Sequence, residues 1–207
     1  FATPLNQKPL SYGVDLVIHS ATKYLGGHND LIAGAVLGAE ELISAISDYR
    51  GILGSVIDPH CAYLLIRGLK TFPLRAAQQN ETAMRLAGAL EGHGRVRRVY
   101  YPGLESHPHH KIACEQMSGF GGVVSFDIDG DQAQTFEFLD RLQIPCIGAS
   151  LGGVESIVSH PATLSYHELT REERLEIGIA DELVRYAVGI EDAEDIVRDV
   201  VEALDAM

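Results

Sequence analysis

Apolar positions follow two rhythms along this chain, and their alternation outlines an α/β protein. Asp15–His19 is a compact run rich in β-branched residues, preceded by the turn-like Ser11-Tyr12-Gly13, and predicts a short buried strand. A second apolar run, Leu31–Leu37, follows the Gly26-Gly27 turn. Over Ala39–Leu53 the rhythm becomes helical, with Leu42, Ile43, Ile46 and Tyr49 on one face. Asp58-Pro59 reads as a helix start, Asp as N-cap and Pro in the first turn. The helical stretch it opens runs towards Leu90, with a kink or break expected at Pro73.

Beyond Pro73 the pattern changes. Val96–Tyr101 and Gly122–Ile128 predict strands, the latter alternating Val124, Phe126 and Ile128 against Ser125 and Asp127. Gln132–Leu142 and Glu168–Ile177 predict helices, and Leu183–Val188 a further strand. Asp192-Ala193-Glu194-Asp195 predicts the acidic first turn of a closing helix. A domain boundary therefore falls near Pro73. Residues 1–73 carry material of parallel-sheet type, and 74–207 form a smaller α/β domain.

Composition narrows the class. The 207 residues are 46% hydrophobic and 22% charged, ordinary for a globular protein. No apolar run has the length of a membrane helix. The net charge of −13 argues against nucleic acid or anionic membranes as partners. Cys61, Cys114 and Cys146 are few, odd in number and far apart, which points to a reducing, cytoplasmic setting without structural zinc. His107-Pro108-His109-His110 reads as an exposed turn, and no metal site is expected. The chain lacks an initiating Met and opens abruptly at Phe1, so a start in mid-domain is expected.

The densest chemistry lies in Ser20-Ala21-Thr22-Lys23-Tyr24-Leu25-Gly26-Gly27-His28-Asn29, directly after the first strand. A partly desolvated lysine loses its proton readily and attacks a carbonyl to form an imine. Hydroxyls at Ser20 and Thr22 can donate to an anion beside it, and the glycines admit close backbone approach. Arg185 stands in an otherwise apolar strand. Alternation places it with Ala187 on the face opposite Val184, Tyr186 and Val188, where a guanidinium can grip a carboxylate with two parallel bonds.

From Asp15 to Asn29 the string resembles, position by position, the attachment motif of the Cys/Met-metabolism (transsulfuration) family of pyridoxal-phosphate enzymes. Ala149-Ser150-Leu151-Gly152-Gly153 and Leu183–Glu191 are similar to two further segments of that family, at the separation it shows. The resemblance implies the aspartate-aminotransferase-like fold (fold type I), with this chain supplying the end of the large domain and the C-terminal domain. It implies pyridoxal 5'-phosphate held by Lys23, the cofactor phosphate on Ser20 and Thr22, and substrate on Ser150, Leu151 and Arg185. It also implies amino-acid substrates and a homo-oligomer, a dimer of dimers. By the same resemblance, the acid that pairs with the pyridine nitrogen lies upstream of Phe1-Ala2-Thr3-Pro4, outside this chain.

His28-Asn29-Asp30, Tyr100–Leu104, Ser106-His107-Pro108 and Leu164–Leu169 resemble the plant-type cystathionine γ-synthases within the family. The activity this implies is replacement of the γ-substituent of an activated homoserine by cysteine, in methionine biosynthesis. Ala149 stands where many bacterial members carry an acid, which leaves substrate choice open. The competing readings are a cystathionine or methionine γ-lyase, an O-acylhomoserine sulfhydrylase, or a half-chain without activity of its own.

Overall fold

A computed structural model describes all 207 residues. After one helical turn, α1 (Thr3–Asn6), and a 3-10 turn at Pro9–Tyr12, the chain forms β1 (Leu16–Ser20) and β2 (Gly34–Gly38). These strands are antiparallel, with Leu16 opposite Gly38 and Ser20 opposite Gly34. That corrects the expectation of parallel-sheet material before Pro73. A parallel neighbour needs a crossover that carries the chain back to the start of the first strand, whereas the segment 21–33 returns this chain from the end of β1 directly into β2. The Thr22 N–H donates to the Ala33 carbonyl at 3.1 Å, closing the return. The expectation that Asp15–His19 is a buried strand is also corrected, because Ile18 is 76% exposed. A two-stranded ribbon has little with which to cover its faces.

Three helices follow. α2 (Glu40–Leu53) opens on Glu40 and Glu41 and ends at Gly54, whose φ of 77° suits glycine. α3 (Pro59–Leu69) starts as its cap predicts, the Asp58 carboxylate accepting from the His60 and Cys61 N–H groups. The break comes at Lys70-Thr71, ahead of Pro73. Pro73 lies in the first turn of α4 (Phe72–Glu91), where its missing N–H costs no intrahelical bond.

The rest of the chain builds a five-stranded sheet in the order β3-β4-β7-β6-β5. Its strands are β3 (Val96–Tyr100), β4 (Val123–Ile128), β5 (Cys146–Ile147), β6 (Ile157–Ser159) and β7 (Leu183–Ala187). Only the β5–β6 pair is parallel. The connecting helices are α5 (His110–Gln116), α6 (Gln132–Arg141), α7 (Pro161–Leu164) and α8 (Arg171–Glu176), with α9 (Ala193–Asp205) closing the chain. The pattern over 168–177 placed the start of α8 too early. Thr170 caps it in a reciprocal box with Glu173. β5 and β6 escaped the pattern altogether.

The main core lies between the sheet and the pair α4 and α9. Val124, Phe126, Ile128, Val184 and Tyr186 point into it from β4 and β7, meeting Leu86 and Leu90 of α4 and Ile196, Val200 and Leu204 of α9. The strand alternation is therefore as expected. At roughly 1.5–3 kcal/mol per large side chain buried, this packing fixes where β7 presents its opposite face. A second cluster joins Ala21, Tyr24 and Leu25 to Phe72 and Ala76 of α4, Val123, Ala187 and Leu151. It seats the lysine-bearing turn on the C-terminal sheet. No helix is long and apolar enough to cross a membrane.

Candidate active site

β1 ends at Ser20 and passes directly into a short π-helical turn, Ala21–Leu25. Lys23 departs from helical geometry within it (φ −93°, ψ −123°). Ala21, Tyr24 and Leu25 are buried beneath the turn, which leaves Lys23 as its half-buried functional side chain. The Gly26 and Gly27 N–H groups donate to the Ala21 and Lys23 carbonyls at 2.8 and 2.7 Å and close the turn.

Lys23 Nζ donates to Ser150 Oγ at 3.0 Å, across a sequence gap that spans almost the whole sheet domain. Ser150 belongs to the glycine-rich turn between β5 and β6. Gly152 packs so tightly on the lysine turn that a Cβ there would lie 2.8 Å from the Tyr24 nitrogen, and its φ of 78° also calls for glycine. Next to it, Asn29 Nδ2 donates to Glu155 at 3.0 Å. Glu155 thus ties the glycine-rich turn to the segment that follows the lysine turn.

Arg185 leaves β7 on the face away from the core. Its Nη2 donates to the Ala149 and Ser150 carbonyls, both at 3.1 Å, while its Nε is buried without a partner. Burial pulls its pKa below the ordinary arginine value, opposed by Tyr166 and Tyr24. The Tyr24 hydroxyl is likewise buried, with the Gly122 backbone beside it. Burial pushes its pKa up to about 12, against the Gly122 backbone and the Arg185 charge.

A cleft of about 330 Å³ opens over this arrangement, lined by Phe1, His19, Ser20, Lys23, Tyr24 and Leu151 among others. A neighbouring hollow of about 550 Å³ is lined by Thr22, Asn29, Asp30 and Ser150. The structure thus brings Ser20, Lys23 and Leu151 to one cleft. Thr22 and Ser150 line the hollow beside it, Lys23 and Ser150 joining the two through their hydrogen bond. The Thr22 hydroxyl donates to the Ala33 carbonyl at 3.3 Å and accepts from its N–H at 3.0 Å, so an anion at this hydroxyl would compete with the β1–β2 return.

Comparison with known proteins fixes the family. The model of the Cys/Met metabolism PLP-dependent enzymes matches residues 1–205. The chain belongs to that family. It is 56% identical over 207 residues to cystathionine γ-synthase 1, chloroplastic, of Arabidopsis thaliana, covering 100% of this chain and 37% of the relative. It is 46% identical over 206 residues to the cystathionine γ-lyase of Bacillus subtilis, covering 99% of this chain and 54% of the relative. Among solved structures, cystathionine γ-synthase from Xanthomonas oryzae pv. oryzae in complex with cystathionine superposes with a TM-score of 0.95 at 42% identity, over 99% of this chain and 53% of that one. The chain therefore spans about half the length, or less, of the relatives it matches.

The residues present suit the cofactor of a Cys/Met-metabolism enzyme. A primary amine stands in a cleft large enough for a small ring. Ser20 at its edge is exposed, and its hydroxyl does not cap the turn that follows. A buried polar atom beside the site, Arg185 Nε, lacks a partner within the chain, as expected of a group that awaits a ligand. Sequence reasoning missed Tyr24 as a cleft residue, and Arg75 and Gln79 beneath the site. The signal for the latter two was polar residues at Arg75 and Gln79 on the helix face that also carries Phe72, Ala76 and Ala83.

Proposed function

We propose that this protein is a transsulfuration enzyme of the cystathionine γ-synthase type. Residues 1–73 would complete a cofactor-binding domain, and 74–207 would form the C-terminal domain. Lys23 would hold pyridoxal phosphate, with the phosphate at Ser20 and Thr22 and the substrate carboxylate at Arg185, Ser150 and Leu151. The observation that carries this reading is the 3.0 Å bond from Lys23 Nζ to Ser150 Oγ, with Arg185 bonded to the same loop. Through the Ser150 loop it links the amine to the guanidinium that would take the substrate carboxylate.

The bound cofactor supplies an electron sink for charge that develops at the substrate α-carbon. The chain's own residues do the rest. Arg185 orients the carboxylate, its remaining N–H donors being free to pair with two oxygens. Lys23, as a neutral amine, takes the α-proton and returns protons along the carbon chain. Ser150 Oγ holds the amine ready by accepting from Nζ. Leu151 and Tyr24 wall the cleft from water, which strengthens each electrostatic contact inside it.

Identity to plant γ-synthases at 54–56% supports γ-replacement by cysteine over the γ-lyase and sulfhydrylase readings. Borohydride reduction of the loaded protein followed by peptide mapping should place the pyridoxyl adduct on Lys23. An adduct on Lys8, Lys70 or Lys111 would overturn the assignment. Product analysis then separates the activities: cystathionine from activated homoserine and cysteine supports the synthase. Keto acid released from cystathionine or methionine alone would identify a lyase. Retention of neither cofactor nor activity by the 207-residue chain would support a half-chain that needs further sequence.

We also propose a cytoplasmic homo-oligomer, a dimer of dimers. The extent of uncovered apolar surface on α2 and α3, including Tyr49, Ile52, Tyr63 and Ile66, supports association. Sedimentation of the active protein should give a tetramer, and full activity in a monomer would contradict this.

A further inference from the structure

Two buried polar side chains beneath the site form no ion pair and line neither the cleft nor the hollow beside it. Arg75 is only 3% exposed and Gln79 only 1%. Such groups are costly to bury, so the bonds they make locate what they hold. Arg75 Nη1 donates to the Tyr24 carbonyl at 2.9 Å, Nη2 to the Gly68 carbonyl at 2.8 Å, and Nε to Thr71 Oγ1 at 3.1 Å. None of these partners is a carboxylate. The guanidinium fills the space beside Gly27, where a Cβ would lie 2.0 Å from Nη1. Gln79 Nε2 donates to the Gly153 carbonyl at 2.8 Å and to Val188 at 3.3 Å.

The two residues are four apart on α4, and so lie one above the other on one helical face. Tyr24 follows Lys23, and Gly153 lies just past Ser150. One rigid helix thus grips both segments whose side chains meet in the 3.0 Å Lys23–Ser150 bond. We infer that Arg75 and Gln79 are positioning residues, a two-point clamp on α4 that holds the lysine turn and the Ser150 loop in register. The clamp acts through backbone carbonyls on both sides, so it sets separation without touching a ligand. Lysine in place of Arg75 could not span the Tyr24 and Gly68 carbonyls with a single ammonium. The clamp stands on these contacts alone, but its catalytic consequence rests on the function proposed above.

Amide hydrogen exchange on the cofactor-free chain tests the clamp without reference to that function. Arg75→Met should speed exchange at Gly26 and Gly27 by on the order of tenfold or more, and leave Ile190, which is bonded to Val154, unchanged. Gln79→Met should do the reverse. Arg75→Lys should keep the melting temperature closer to wild type than Arg75→Met, yet still leave Gly27 loosened. Equal loosening of both segments by either variant, or wild-type exchange in Arg75→Lys, would overturn the clamp. In the loaded enzyme, Arg75→Met should lower kcat by up to about 100-fold, the cost of a displaced reacting group. Gln79→Met should chiefly raise KM for the amino-acid substrate. Parallel losses in both parameters would also count against it. An adduct away from Lys23 in the wild type would defeat the proposed function and leave the exchange result standing.

Discussion

At the level of single residues, Lys23 and Arg185 have separable jobs, and substitution should separate them. Lys23→Ala removes the lysine amine of the cleft and the base that would shuttle protons, so turnover should fall by more than about 10⁴-fold. Its one recorded side-chain bond is to Ser150 Oγ, and its stem lies at the mouth of a cleft. The melting temperature should therefore move little. A variant with near-normal turnover would remove the basis of the functional reading. Arg185→Leu should instead weaken substrate binding by about 1.5–3 kcal/mol, the worth of a charge-assisted hydrogen bond, as read from the inhibition constant of an unreactive amino acid. It also strips a donor from the Ala149 and Ser150 carbonyls, so some loosening of that loop should accompany it. Lys23 and Arg185 were both legible in the sequence, one from its motif and one from its isolation in an apolar strand. Arg75 and Gln79 were not, since nothing local shows that a polar side chain on a helix will reach a carbonyl more than fifty residues away.

At the level of elements, the sequence was clearest where a helix carries its own stop and start signals. Asp58-Pro59 and Asp192 gave two starts, and both side chains cap as their type requires. Asp131 adds a third, a reciprocal box in which its carboxylate accepts from the Gln134 N–H at 2.9 Å and Gln134 Oε1 accepts from the Asp131 N–H at 3.1 Å. Asp131→Ala should cost about 0.5–2 kcal/mol in urea unfolding, while Asp131→Ser should recover most of it. No change in the midpoint would mean α6 is held by Phe138 and Leu139 alone. The same signal in Thr170 and Glu173 was present, but Glu168 extends the Glu- and Arg-rich stretch that follows back past the cap, which is why the start of α8 was placed early. β5 and β6, of two and three residues, are too short for any period to register, and pairing makes them strands, β6 with β7 and β5 with β6. The orientation of β2 was also illegible, because a strand's direction depends on the turn that returns it rather than on its own residues.

Over the whole molecule, the buried tyrosines couple folding to alkaline pH. Tyr24, Tyr101 and Tyr186 lie in or beside the two cores. Burial raises the pKa of Tyr24 to about 12 and displaces those of Tyr101 and Tyr186 upward as well. The Tyr24 charge adds to the rise at Tyr101, while at Tyr186 burial outweighs an opposing bond from Ser156 and the Glu191 and Asp199 charges add to the rise. In the unfolded chain all three ionise near pH 10. Above that pH the unfolded state has lost protons that the folded state still keeps, so stability falls as pH rises. The contribution is intact below about pH 10 and, for Tyr24, is exhausted by about pH 12. A shift of that size corresponds to roughly 2–3 kcal/mol for Tyr24. Urea midpoints taken between pH 9 and 12 should therefore drop steeply. Tyr186→Phe isolates the effect, since it removes the titrating hydroxyl and keeps the ring that fills the core. The variant should stay close to wild-type stability at pH 8, because the ring still fills the same space. Its midpoint should then fall less steeply with pH, by about one proton in the slope. Parallel pH profiles for wild type and variant would mean that this hydroxyl titrates alike in both states, and that the core around β7 admits water.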